Sequence, residues 1–184
     1  LGTEAIEYKD AWMNAGRSQF FSTDFNYMQL DAGETSMTNY GSGSEWALFS
    51  IFGRLNYDYM GKYLIDFTLR RDGSSRFGAE NRYATFPAFS VAWALTEEDF
   101  MAGTRGWLDF LKIRFGWGQS GNDRIGNYNI YSTYATNNYH AAYDIKGTNT
   151  SSVAGFQPNT RGNPDVTWES TSTIDGGLDA ILLN

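Results

Sequence analysis

Residues 47–70 read ALFSIFGRLNYDYMGKYLIDFTLR, and they alternate strictly. Phe49, Ile51, Gly53, Leu55, Tyr57 and Tyr59 form one set, while Leu48, Ser50, Phe52, Arg54, Asn56 and Asp58 form the other. After a turn at Met60-Gly61 the pattern resumes, with Tyr63, Ile65, Phe67 and Leu69 against Leu64, Asp66, Thr68 and Arg70. Successive side chains of a strand point to opposite faces, so this spacing predicts a hairpin with one apolar and one polar face.

The same reading extends downstream. Phe89, Val91, Trp93 and Leu95 alternate with Ala88, Ser90, Ala92 and Ala94, and Leu111, Ile113, Phe115 and Trp117 with Phe110, Lys112, Arg114, Gly116 and Gly118. A looser run places Val166, Trp168, Ile174, Leu178, Ala180 and Leu182 against Thr167, Glu169, Thr171, Thr173, Asp175 and Asp179. An opening strand over Gly2 to Tyr8 is weaker. The charges Arg54, Asp58, Asp66, Arg70, Lys112, Arg114, Asp175 and Asp179 all fall on the polar face. Unpaired charge is too costly for a dry core, so that face should line a wet or protein-plugged lumen.

Three further features point to a membrane. Strands of about 11 residues span about 36 Å, and a tilt of about 40° reduces this to about 28 Å, close to the apolar band of an outer-membrane barrel. The connections are short on one side (Met60-Gly61, Thr96 to Trp107) and long on the other (Asp10 to Ser44, Asp72 to Thr85, Ser120 to Pro164), as in such barrels. Rings collect at both ends of the apolar face: Tyr57, Tyr59, Tyr63, Trp93 and Trp107 at the short-turn end, and Trp46, Phe89, Trp117 and Trp168 at the other. Trp and Tyr favour membrane interfaces. The expected fold is all-β, an antiparallel transmembrane barrel wall of five or six long strands with short periplasmic turns and long extracellular loops. A soluble antiparallel sandwich or barrel also alternates, and is the competing architecture.

Composition narrows the function. With 14 Lys and Arg against 21 Asp and Glu, the net charge is −7, and scattered cations on an acidic chain make a poor nucleic-acid binder. There is no Cys and a single His, His140, which leaves no thiolate chemistry and disfavours a His-rich metal site or a Ser-His-Asp triad. We expect no catalytic residue, cofactor or metal. The apolar run at Ile181-Leu182-Leu183 and the absence of a starting Met suggest a piece of a longer protein, with residues 1–184 belonging to one barrel domain.

Several local motifs have plain readings. Thr96-Glu97-Glu98-Asp99 predicts a helix start with Thr96 as N-cap and acids in the first turn, in preference to paired catalytic carboxylates. Thr23 to Gly33 predicts a short surface helix with Phe25, Met28 and Leu30 on one side and Gly33 as C-cap. Gly41-Ser42-Gly43-Ser44 reads as a flexible connector, His140 as a solvated loop residue, and Asn149-Thr150-Ser151 matches a glycosylation sequon. In Arg71-Asp72-Gly73-Ser74-Ser75-Arg76-Phe77, Asp-Gly predicts a turn, and two Arg with an Asp at a loop base predict an ion-pair network ahead of cargo contact.

These residues also carry a family likeness. Gly53-Arg54-Leu55-Asn56-Tyr57, Arg70 through Gly78 and Asn81-Arg82-Tyr83-Ala84-Thr85-Phe86-Pro87 resemble the SusC/RagA family of TonB-dependent outer-membrane transporters from Bacteroidetes-type bacteria. The likeness continues through Trp93, Glu97 to Met101, Trp107-Leu108 and Leu111 to Arg114. It then runs through Gly121-Asn122, Ile125 to Tyr128, Asn163-Pro164-Asp165 and Trp168-Glu169, with Val166 where the family often has Leu. The resemblance implies a plugged barrel of about 22 strands, lidded by a SusD-like lipoprotein and energised by TonB through parts absent from this sequence.

The reading is therefore a segment of an outer-membrane importer of oligosaccharides or peptides, in contact with the lipid bilayer and with no nucleic-acid partner. Its candidate lumen- or substrate-facing residues are Arg54, Asp66, Arg70, Arg71, Asp72, Arg76, Lys112 and Arg114. Tyr128, Tyr131, Tyr134 and Tyr139 are candidate rings for stacking on cargo. The alternatives are a soluble or surface β-domain that binds carbohydrate without transport, and a glycoside hydrolase, which needs two carboxylates about 5–9 Å apart.

Overall fold

A computed structural model of the chain describes residues 1–27, 29–104, 106–148, 150 and 152–182, with the side chains of 137–141 outside the description. Among the described residues there are eight strands: β1 (Gly2–Ser18), β2 (Thr35–Tyr59), β3 (Tyr63–Ser74), β4 (Tyr83–Ala94), β5 (Leu108–Asn122), β6 (Thr133–Asp144), β7 (Ser152–Thr160) and β8 (Glu169–Leu182). Six form one sheet in the order β1-β2-β3-β4-β5-β8, and β6 and β7 form a separate pair. The chain divides into two compact units, Leu1–Ile6 with Ala47–Asn184, and Glu7–Trp46.

In the larger unit the antiparallel register keeps the predicted faces in phase across the sheet. Tyr57 pairs with Ile65, Ile65 with Val91, Val91 with Phe115 and Phe115 with Gly176. One strand away in phase, Asn56 pairs with Asp66, Asp66 with Ser90, Ser90 with Gly116 and Gly116 with Asp175. A single slip would have moved every apolar side chain to the other face. The apolar face has no second layer over it: Ile51 is 44%, Phe67 42%, Val91 42% and Ile113 44% exposed. A soluble sandwich would bury these residues, so that competing architecture does not hold.

The short-turn end is built by local rules. Met60 and Gly61 both take positive φ (55° and 67°), and the Lys62 amide donates to the Tyr59 carbonyl at 3.0 Å. This is the primed turn whose twist matches that of the flanking strands. The link from β4 to β5 holds two 3₁₀ turns, Leu95–Glu97 and Asp99–Thr104. Thr96 is not the N-cap expected of it. Ala94 holds that position, and Thr96, 3% exposed, uses its hydroxyl to accept the Leu111 amide at 3.3 Å.

The loop end departs from expectation in three places and adds one detail, the point at which the β4–β5 ladder starts. Asp72-Gly73 continues β3 and does not turn; the turn follows at residues 75–82. The β4–β5 ladder begins only at Ala88, next to Pro87, which has no N–H to donate. Trp168 lies before β8 and packs on Phe77 (5.1 Å) and Phe86 (5.5 Å), so it is not a rim residue of the apolar face. The segment 120–164 is not one irregular loop, since β6 and β7 pair within it.

The smaller unit, Glu7–Trp46, is a two-stranded ribbon where a long loop was expected. Tyr8 stacks on Trp46 at 5.9 Å, and Trp12 meets Tyr40 edge-on at 5.6 Å. Trp46 thus belongs to this ribbon. Gly41 and Gly43 are strand residues, not a flexible connector. A Cβ at Gly41 would lie 2.7 Å from the Trp12 carbonyl oxygen, so close backbone approach explains this glycine. The expected surface helix is two separate 3₁₀ turns, Phe25–Tyr27 and Leu30–Ala32. Gly33 closes the second in extended geometry (φ −79°) and not as a left-handed cap. Met28, Asn149 and Ser151 lie outside the described residues, as do the side chains of Tyr139 and His140.

Candidate functional site

The polar face is organised by ion pairs between neighbouring strands. Arg54 grips Asp66 with Nε (2.9 and 3.1 Å to its two oxygens) and with Nη2, while Asn56 Nδ2 donates to the same carboxylate at 2.8 Å. Toward the loop end Arg70 donates Nε to both Asp72 oxygens at 2.7 and 2.9 Å. Its Nη2 reaches Glu4 and Ser50, each at 2.8 Å, and its guanidinium lies 5.4 Å from the Phe52 ring centroid. On β5, Lys112 and Arg114 share Asp179 of β8 at 3.3 and 3.8 Å. Charged groups paired in this way stay on the wall without the desolvation cost of isolated ions.

Between these pairs runs a strip of small residues. Ala88, Ser90, Gly116, Gly118 and Thr173 line a shallow depression of ≈ 430 Å³ flanked by Arg54, Asp66 and Asp175. Glycines lie opposite two of the charges. Asp175 pairs with Gly116 and Arg114 with Gly177. A Cβ on Gly116 would come 2.6 Å from Asp175 Oδ1, and one on Gly177 would meet the Arg114 side chain. The long side chains therefore lie down across glycine.

At the loop base Asp72, Ser74 and Phe77 of the Arg71 to Phe77 motif are buried. Ser74, fully buried, donates its hydroxyl to Asp123 Oδ2 at 2.8 Å. Arg76 donates Nε to Asn127 Oδ1 at 2.8 Å and Nη1 to the Asp123 carbonyl at 3.2 Å and its carboxylate at 3.3 Å. Phe77 is 0% exposed, against Trp168, and the Trp168 indole donates to the Arg82 carbonyl at 3.1 Å. The ion pairs formed differ from the network expected within the motif: Asp72 pairs with Arg70 and Arg76 with Asp123, and Arg71 is in neither pair. Asp123, Asn127 and Glu4 were absent from the sequence candidates; the only hint was that Asn127 sits in the Ile125 to Tyr128 motif.

The remaining candidates separate. Arg71 pairs in register with Ile51 and Thr85, which puts it on the apolar face and away from the lumen-facing set to which it was assigned. Tyr128, with φ 66°, is in the left-handed region rarely used by non-glycine residues. Its carbonyl accepts the Tyr131 amide at 3.0 Å. Tyr128, Tyr131 and Tyr134 are 46%, 60% and 68% exposed, and Tyr134 lies in β6 opposite Pro158. Asp66 and Asp175 line one depression, where Asp66 is held by Arg54 and Asn56.

A second cluster, unforeseen in sequence, sits at the short-turn end. Glu98 accepts the Tyr63 hydroxyl at 2.7 Å, the Trp93 indole at 3.1 Å and the Lys62 ammonium at 3.0 Å. Tyr63 donation foremost, then Lys62 and Trp93, holds its carboxyl below the usual carboxylate range, and Glu98 in turn raises Lys62. Around it Tyr59, Tyr63, Trp93 and Phe100 form a ladder of rings 6.2–6.4 Å apart. No group of metal-ligating side chains occurs among the described residues. Among the described residues no helix is long and apolar enough to cross a membrane, which says nothing of strands.

Comparison with known proteins agrees with this architecture. The family described as TonB dependent receptor-like, beta-barrel matches residues 2–184. TonB-dependent receptor SusC of Bacteroides thetaiotaomicron is 41% identical over 140 residues, 74% of this chain and 13% of that protein. TonB-dependent receptor P3 of Formosa agariphila is 32% identical over 170 residues, 92% of this chain and 16% of that protein. A solved structure of the RagAB peptide transporter superposes with a TM-score of 0.80 at 33% identity, covering 99% of this chain and 19% of that one. The chain thus spans between an eighth and a fifth of the proteins it resembles. A bare apolar face, a charge-paired polar face in strict register and these matches lead to one conclusion: the chain belongs to the TonB-dependent receptor β-barrel family, in its SusC/RagA branch.

Proposed function

We propose that residues 1–184 are part of the barrel domain of an outer-membrane importer of oligosaccharides or peptides, energised through TonB and lidded by a SusD-like lipoprotein. The observation that carries this reading is the two-faced wall. Its apolar face is open to its surroundings from Ile51 to Ile113, while Arg54, Asp66, Arg70, Lys112 and Arg114 are charge-paired on the other. In this reading the apolar face meets lipid, the short turns face the periplasm, and the long connections reach outside.

Under the same proposal the polar face and the loop base take different parts. The strip around Ser90 and Gly116 presents a low surface past which cargo or plug moves. Asp72 and Arg76 hold the loop base rigid, and Tyr128, Tyr131 and Tyr134 offer ring faces to sugar or peptide groups. Nothing in this division requires chemistry on the cargo.

The test uses the full-length receptor in its own outer membrane. Val91→Arg, in the middle of the apolar face, should abolish assembly, because a cation at the bilayer midplane costs about 2–4 kcal/mol. Ser90→Arg, one residue away on the polar face, should leave assembly intact. Uptake of a labelled oligosaccharide or peptide should stop when TonB is deleted. Equal assembly of both variants, or uptake indifferent to TonB, would refute the reading.

A further inference from the structure

We propose that Arg71 and Thr85 form a binding point for the phosphate of an anionic membrane lipid, at the loop end of the apolar face. Arg71 shares that face with Ile51 and Thr85, its direct partners on β2 and β4. Among the paired positions of β2 to β5 and β8, every other residue in phase with it is uncharged. An arginine is expensive on a lipid-facing surface unless it stands near the headgroups, where its guanidinium meets polar partners. Arg71 lies three residues from the end of β3, and Thr85 two from the start of β4, so both stand at the edge of the belt and not in its middle.

The guanidinium is free to take a ligand. Arg54, Arg70 and Arg76 all spend their donors on protein oxygens. The exposed Arg71 has five N–H donors, and its one recorded contact among the described residues is the Tyr83 ring, 5.4 Å from the guanidinium carbon. That ring is itself held in place. Tyr83 is the register partner of Gly73 and lies where a Cβ on Gly73 would stand. A guanidinium resting on a fixed ring, with outward donors unused, is preorganised for the planar, two-pronged grip that phosphate accepts. The exposed hydroxyl of Thr85, directly opposite, supplies a further donor within cross-strand reach. The ligand follows from position: an anion at the end of a lipid-facing belt is a lipid headgroup.

This inference rests on the proposal that the apolar face meets lipid, and the experiment separates the two. Full-length receptor, purified in detergent and stripped of lipid, is titrated with lipid A, with dephosphorylated lipid A, and with inorganic phosphate, and retention is read by native mass spectrometry. Wild type should favour the phosphorylated lipid. Arg71→Gln should reduce that preference about fivefold, the worth of one basic residue at an anionic surface. Arg71→Lys should keep part of it, and inorganic phosphate should not compete. An unchanged preference in Arg71→Gln, or displacement of the lipid by free phosphate, overturns the site while leaving the importer reading intact. A receptor that stays dispersed without detergent and retains neither lipid overturns the importer reading first.

Discussion

The two ends of the wall are closed by different physics. At the short-turn end the chain reverses over Met60-Gly61, and Glu98 ties down Tyr63 and Trp93 from a neighbouring turn. At the loop end the contacts bridge distant sequence: Ser74 to Asp123, Arg76 to Asn127, and Trp168 to the Arg82 carbonyl, 86 positions away. The first end is made by local stereochemistry and polar contacts near the surface. The second is a small core that joins residues far apart in sequence. The buried residues Ser50, Asp72, Ser74, Phe77 and Phe86 all lie there. Ala94, Thr96 and Leu108 are buried at the short-turn end, so the wall packs at both ends and more extensively where the loops begin.

That contrast breaks most sharply at Phe77. Phe77→Ala in the full-length receptor should cost about 3–5 kcal/mol, the range for a fully buried aromatic. Urea titration of the receptor folded into vesicles measures the loss, and proteolysis should nick the turn at 75–82 while sparing Met60-Gly61. Ser74→Ala should cost less, about 1–3 kcal/mol, because it leaves the part-buried Asp123 short of one donor. Amide exchange across residues 123–128 should accelerate, with no change near Glu98.

Smaller effects belong to the other end. Gly61→Ala meets nothing within 4 Å, but its φ of +67° makes the substitution cost about 1–2 kcal/mol through backbone strain alone. The same unfolding titration checks it. The gentlest perturbation is pH. Since the Glu98 carboxyl is held below its ordinary range in the folded protein, its stabilising contribution is complete above the unfolded-state value. That contribution is lost as pH falls through the depressed folded value. Trp93 fluorescence in vesicles should therefore stay constant through the ordinary carboxylate range and change only below it. A change at or above that range would show that the three donors do not grip the carboxylate.

The same division governs what was legible beforehand. Both faces of β2 to β5 follow from period-two alternation, because each strand is long enough for phase to be unmistakable and register transmits it intact from Tyr57 to Gly176. The turn at Met60-Gly61 was equally plain. Long-range packing was not. Trp168 looked like a rim residue because nothing near it in sequence reports Phe77, and Asp72-Gly73 looked like a turn because its dipeptide chemistry favours one. Tertiary pairing with Ala84 and Tyr83 overrides that preference. Arg71 was misassigned by its neighbours: among Arg70, Asp72 and Arg76 it reads as one of a polar group, yet odd and even positions of a strand never share a face. The ribbon at Glu7–Trp46 and the β6–β7 pair were missed because Gly, Ser and Asn dilute alternation.

The glycines opposite Arg114 and Asp175 carry a last consequence. With no side chain at Gly116 and Gly177, both ionic groups recline along the backbone instead of projecting from it. Local relief is therefore decided by the residue that is missing a side chain and not by the one that bears the charge. A methyl group at either glycine would lift its neighbour upright, adding several ångströms of height with the net charge unchanged. Clearance and electrostatic character at that spot can thus be varied independently.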